Sequence, residues 1–415
     1  MSRLFPGAHA SSLKHVVGVA AIAVLLAGCG HVPSGVASTP TTTPSGVVPA
    51  ATTSQTGTPS AAPTPSAAPT PSIAPPAAGL LFAVVEGADP NVSEPGTVAI
   101  VGLDGYAKAT ATFQPRVGPV IADAYTPLQG VAQVVGSSVY YIDGAGTVRV
   151  LRVGSQPQVV ARFPLQPAQE DVWYAVSPDG SRVLAGILTF PALGPLVPGT
   201  DWHTPVGPSK FDLETAPAGG QTKTLVHLEV PQGSNVPTPT FPVGWTVGGP
   251  VGMVPAYVTS QNAWPGGPLY VIDAAGRKTT LVGGSNCDSA SITPSGFIPC
   301  ISGQVVTVRD QSGKVVWVTH VDSFSAASLF VSPDGQAISD GYQVERHVGG
   351  MVALPVRASG PPSTFRIEGW IDNHTIVGRI VIDDVNEGDL AWIDINHPTV
   401  VHDLGFKGDF VATLA

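Results

Sequence analysis

Charge is what this 415-residue chain has least of: Asp, Glu, Lys and Arg make up only 12% of it. Basic residues are the scarcer half, 19 Lys and Arg against 29 Asp and Glu, for a net charge of -10. Nucleic-acid binding needs clustered Lys and Arg to neutralise phosphates, so that class of partner is excluded. Electrostatic adhesion to anionic lipid is excluded for the same reason. No apolar run reaches the roughly 20 residues a bilayer-spanning helix needs. No segment sustains a 3.6-residue apolar period, which leaves no long helix to propose. The motifs of common chemistries are missing too: no Gly-x-Ser-x-Gly elbow, no His-Glu-x-x-His, no phosphate-cradling loop and no dinucleotide fingerprint. The ten His are scattered and form no close pair. No catalytic residue and no cofactor are therefore assigned.

The chain begins with an export signal. Arg3 and Lys14 precede an apolar run, Val16 to Ala27, of signal-peptide length. It ends in Leu26-Ala27-Gly28-Cys29, which resembles the lipobox of bacterial lipoproteins. The resemblance implies cleavage after residue 28, acylation of Cys29, and a lipid-anchored protein on the extracytoplasmic side of the cell membrane. Residues 30–78 contain no charged residue and are rich in Pro, Ser, Thr and Ala. Such a segment buries too little apolar surface to offset chain entropy. It reads as a disordered, extended spacer, with a reach on the order of 100 Å at about 3.1 Å per residue. The organisation expected is a signal peptide over 1–28, a lipidated linker over 29–79 and a folded domain over 80–415.

The folded part is read as all-β: short Val-, Ile- and Tyr-rich runs alternate with Gly, Pro and Asp turns. Within it the sequence repeats. Val176-Ser-Pro-Asp-Gly180 and Val331-Ser-Pro-Asp-Gly335 nearly match, with fainter copies at Ile292-Thr-Pro-Ser-Gly296 and Trp370-Ile-Asp-Asn-His374. Each combines Pro with Asp or Ser and Gly, or is acidic, as a tight turn between antiparallel strands requires. A second motif, an apolar strand ending in an acidic turn, places turn residues at Asp104, Asp143, Asp212, Asp273, Asp310, Arg357 and Asp394. Seven such positions imply seven units, with insertions at 191–208 and 231–250. Units of about 40–45 residues with four short strands are propeller blades. The Ser-Pro-Asp-Gly turns resemble the WD40-like repeats of the TolB-like propeller family. The expectation is a single β-propeller of seven blades, six being the alternative count. Phe410–Ala415 would supply a strand to the first blade and so close the ring.

Three Cys divide into the lipid site and a pair, Cys287 and Cys300, flanking the Thr-Pro-Ser-Gly turn. A disulfide between them is expected. It would close a short loop, worth about 3 kcal/mol in the chain-entropy model. The densest acidic segment, Asp383, Asp384, Glu387 and Asp389, is the one weak candidate for a metal, through the hard oxygen donors that Ca²⁺ prefers. Trp173, Trp317, Trp370 and Trp392 lie in apolar strand patterns and belong to the core. Trp202, His203, Trp245 and Trp264 sit among Pro and Gly in the insertions and are candidates for binding at the rim. The function expected is a binding or scaffold module for a protein, peptide or glycan of the cell envelope. The alternative is a propeller enzyme of lyase, lactonase or sugar-cleaving type, with its site at the central channel.

Overall fold

A computed structural model gives the structure of the protein. It describes residues 79–87, 94–115, 130–166, 170–196, 203–230, 239–254, 257–258, 263–264, 267–282, 287, 289–320, 329–354, 364–383 and 386–415, with a few side chains inside these ranges left out. The expected signal peptide, Cys29 and the linker lie outside them, as do Trp202, Asp384 and Arg357.

Seven four-stranded antiparallel sheets follow one another as blades of a propeller. The first blade is built from β1 (Leu81–Glu86), β2 (Gly96–Gly102) and β3 (Ala107–Phe113). The second holds β4 (Ala132–Val135), β5 (Ser138–Ile142), β6 (Thr147–Leu151) and β7 (Gln158–Arg162). The third holds β8 (Glu170–Val176) and β9 (Arg182–Thr189). A side hairpin follows, β10 (Ala192–Leu196) and β11 (His203–Val206), and β12 (Ser209–Pro217) and β13 (Lys223–Val230) complete the blade. The fourth holds β14 (Phe241–Thr246) and β15 (Gly249–Met253). After a small ladder, β16 (Tyr257–Val258) and β17 (Ala263–Trp264), it ends in β18 (Leu269–Ile272) and β19 (Lys278–Val282). The fifth is β20 (Ser289–Ala290), β21 (Ile298–Ser302), β22 (Val305–Arg309) and β23 (Val315–His320). The sixth is β24 (Phe330–Val331), β25 (Ala337–Ser339), β26 (Val344–Arg346) and β27 (Gly350–Val352). The seventh is β28 (Thr364–Trp370), β29 (Thr375–Asp383), β30 (Asn386–Asp394) and β31 (His402–Phe406). The chain then returns as β32 (Asp409–Leu414), which pairs with β1 from Leu81↔Leu414 to Val85↔Asp409 and becomes the innermost strand of the first blade. Ring closure by the C-terminal strand leaves no sheet edge open at the seam.

The core lies between blades. Seven clusters of buried apolar side chains occupy the seven blade–blade junctions. Middle strands are covered on both faces, which explains continuous apolar runs such as Val139-Tyr140-Tyr141-Ile142. Trp173, Trp317, Trp370 and Trp392 are all buried in these clusters.

The Ser-Pro-Asp-Gly copies and their two fainter relatives are the turns from first to second strand in blades three, five, six and seven. In the third blade the Ser177 amide donates to Arg182 O and the Gly180 amide to Ser177 O, while the Ser177 hydroxyl donates to Asp179 at 2.5 Å. Gly180 has φ 68° and faces the Tyr140 hydroxyl, with no room for a Cβ. The acidic turns share another geometry. In Asp143, Asp273 and Asp310 one carboxylate oxygen accepts the amides two and four residues on.

Their phase differs from the sequence reading. Asp104, Asp273, Asp310 and Asp394 stand between third and fourth strands, whereas Asp143 stands between the second and third. Asp212 is not in a turn at all: it lies inside β12, paired with Ile187 and His227. Each blade still carries one of these positions, except the sixth, where Arg357 falls outside the described residues. That is why a wrong alignment of hairpins counted the right number of units. The segment 231–250 is likewise not all insertion, since it contains β14, the innermost strand of the fourth blade.

Candidate functional site

Strands alternate in direction within each blade. The turns from first to second and from third to fourth strand therefore gather on one face of the ring. Leu81, where the described propeller begins, pairs with Leu414 at that face, here called proximal. A cavity of about 630 Å³ opens there, over the inner strands of the first five blades. Its wall is formed by Val411 and Ala412 of β32, Ala132 to Val135 of β4, Val176 of β8, Val243 to Thr246 of β14, and Ala290 of β20 with Ser291 and Ile292 after it. Gly136, Pro178, Val247, Pro294 and Gly296, all from first-to-second-strand turns, form the mouth, joined by Gln311.

No Asp, Glu, His, Lys or Arg lines this cavity among the described residues. Its polar side chains are Gln133, Ser291, Thr246, Thr293, Gln311 and the indole of Trp245. Three of these are committed to the protein. Gln133 donates to Tyr174 O at 2.7 Å and accepts from the Val176 amide at 3.2 Å, bridging β4 to β8. Thr246 Oγ1 lies within bonding distance of Gly249 O and of the Gly248 amide. Thr293 donates to Phe297 O at 3.0 Å.

The proximal face around the mouth carries both signs of charge, with Lys108, Arg152, Arg182, Arg277 and Lys314 in or beside its turns. Asp104, Asp179, Asp273, Asp310, Asp334, Asp372 and Asp394 all lie in its turns. Asp104 and Asp273 pair with Lys108 at 2.6 Å and Arg277 at 2.7 Å, while Asp179, Asp334 and Asp372 have no basic partner among the described residues. The Ser177 hydroxyl, followed by the amide and hydroxyl of Ser181, lowers the pKa of Asp179 to about 2. This carboxylate is thus fully ionised at neutral pH.

Of the residues singled out from sequence, Trp245 alone is brought to the cavity. It stands half-buried in β14, an inner strand rather than a loop tip, with its ring against the cluster that holds Trp173 and Phe241. His203 belongs to β11 and Trp264 to β17, in the two side ladders away from the channel strands. Asp383 and Glu387 flank the β29–β30 turn and Asp389 lies within β30. Among the described residues no group of three His, Cys, Asp or Glu is placed to hold a metal ion. Gln133, Val243 and Thr246 were not singled out, because an inner-strand position has no signature beyond strand order.

Cys287 and Cys300 are joined by a disulfide, with Cα atoms 5.5 Å apart. They are not directly cross-strand: Cys300 sits opposite Ala290, and Cys287 lies in the approach to β20. The bond therefore anchors the chain just ahead of β20, the two-residue inner strand of the fifth blade.

No protein-family model matches the chain, and no curated protein is similar to it. Solved structures are. An oligogalacturonate lyase in complex with manganese is 9% identical over 72% of this chain and 81% of its own, with a TM-score of 0.41. An oligogalacturonate lyase from Vibrio parahaemolyticus is 8% identical over 75% and 90%, with a TM-score of 0.38. A protein of unknown function from Bacteroides caccae is 11% identical over 81% and 98%, with a TM-score of 0.36. At these identities no activity carries across.

Proposed function

We propose that the chain is an exported lipoprotein, acylated at Cys29 and held at the outer face of the cell membrane by its uncharged spacer. Its propeller is a binding module for a partner in the cell envelope, engaged through the channel cavity. The lipobox-like Leu26-Ala27-Gly28-Cys29 and the composition of residues 30–78 support the anchoring. One observation carries the binding reading: a large concave site on the inner strands of five blades whose described lining has no titratable side chain. Acid–base or nucleophilic turnover centred on the channel needs such groups within reach of the reacting atoms.

The enzyme alternative has a direct assay. Incubation with oligogalacturonate, with and without manganese, should leave the polymer intact; cleavage would overturn the binding reading. Anchoring is tested by fractionation: the wild-type chain should partition with membranes and Cys29→Ala should not. Equal partitioning of the two would sink the lipoprotein reading.

A further inference from the structure

We infer that the channel takes an extended, uncharged peptide segment with aliphatic side chains, docked along the free edge of β14. The inference rests on the binding reading above and names the ligand class.

The wall decides against the other classes. Its side chains are mostly aliphatic, and Val134, Val135, Val243 and Ile292 among them are only partly buried. With Gln133, Thr246 and Thr293 already bonded within the protein, Ser291, Gln311 and the Trp245 indole are left to meet a ligand. An oligosaccharide filling this space would bring many hydroxyls, and each one buried without a partner costs about 1–3 kcal/mol. A charged ligand would find no counter-charge in the described wall and pay still more for desolvation.

An acyl chain would satisfy the aliphatic wall but not the backbone. Each inner strand pairs with one neighbour only, so its channel-facing amides and carbonyls are left over. On β8 and at the end of β28 the protein covers such groups itself. Gln133 caps Tyr174 O and the Val176 amide on β8, and Thr413 lies within bonding distance of Trp370 O and Ile371 O at the end of β28. No such cap reaches Val243 to Val247 from the described residues, although β14, with β4, makes the longest contribution to the wall and also brings the Trp245 indole to it. A peptide supplies both missing partners, backbone bonds to the edge and apolar side chains to the wall, which is the logic of strand addition.

The test uses the full-length chain in detergent and four probes: acetyl-Val-Thr-Ile-Ser-Val-Ala-amide, the same peptide with Asp in place of Thr and Ser, maltohexaose, and decanol. Binding is followed by calorimetry and by hydrogen exchange at residues 243–247. The neutral peptide should bind and slow exchange there, and the Asp-bearing peptide should bind about tenfold more weakly. Val247→Asp should weaken the neutral peptide by a similar factor. Val247 is 88% exposed, so this variant tests the mouth without threatening the fold. Binding of maltohexaose or decanol with no effect of the peptides would overturn the ligand class and leave the binding reading standing. If no probe alters exchange in any inner strand, the inference fails. If an envelope partner then binds Val247→Asp as well as wild type, the channel reading fails with it.

Discussion

Asp179 and Asp334 show how much one side chain organises in this fold. Each accepts from the Ser two positions earlier, at 2.5 and 2.7 Å, and that same Ser oxygen receives the amide that opens the next strand. The acid thereby holds the turn between the first and second strands of its blade. Because the pKa of Asp179 is lowered to about 2, its contribution is present above the unfolded value of about 3.9 and is lost as pH falls toward 2. Asp179→Asn should therefore lower the melting temperature at pH 6, and the gap to wild type should close as the pH is brought down to 2. A gap that stays constant across that range would show that the carboxylate's charge has no part in the turn.

At the scale of elements, β20 is among the strands with least to hold them. It has two residues and two register pairs, Ser289↔Ile301 and Ala290↔Cys300, yet it forms the blade-five wall of the cavity. The disulfide compensates by fixing Cys287 beside it. Cys287→Ser should cost about 3 kcal/mol in urea unfolding, and hydrogen exchange should quicken in residues 289–302 before any other blade. Uniform quickening around the ring would assign the bond a global role instead. This pairing was legible from sequence, because two Cys flanking one turn leave few alternatives. The hairpin turns were legible for the same local reason: Pro, Asp and Gly fix backbone angles without reference to the rest of the chain. The channel wall was not. Val135, Val243 and Ile292 look like any other strand valine or isoleucine, and only the order of strands in the ring makes them a lining. Trp245 was noticed for its neighbours in sequence, while its place depends on β14 being a blade's first strand.

The whole molecule is a ring closed by its last strand, and charge holds that strand to the seventh blade. Arg379 of β29 is buried and bonds to Glu368 of β28 at 2.5 Å, to Asp409 of β32 at 2.7 Å and to Gly408 O. Glu368 also receives the Phe410 amide at 2.8 Å, and the Phe410 ring packs on Phe82 and against Gly369. The last blade and the last strand are thus tied by more than the two-residue link between β31 and β32. Breaking a buried pair by removing one partner is costly, so Glu368→Gln or Arg379→Met should each destabilise by about 3–5 kcal/mol. The double variant Glu368→Leu, Arg379→Met should recover much of that loss in thermal unfolding. If it is the less stable of the three, the pair contributes net stability rather than closure alone. None of this could be read from the sequence, since Arg379 and Asp409 are 30 positions apart and in different blades.

The register Leu81↔Leu414 has a mechanical meaning for a molecule hung by its N-terminus as proposed here. Any pull transmitted along the spacer arrives at Leu81. There it meets a strand flanked on both sides, by β2 and by β32, so the load is split between two ladders instead of peeling an edge. The charged fastening sits toward the opposite end of the same strand pair, near Val85↔Asp409, out of the direct line of the pull. The suspension point is also on the face where the cavity opens.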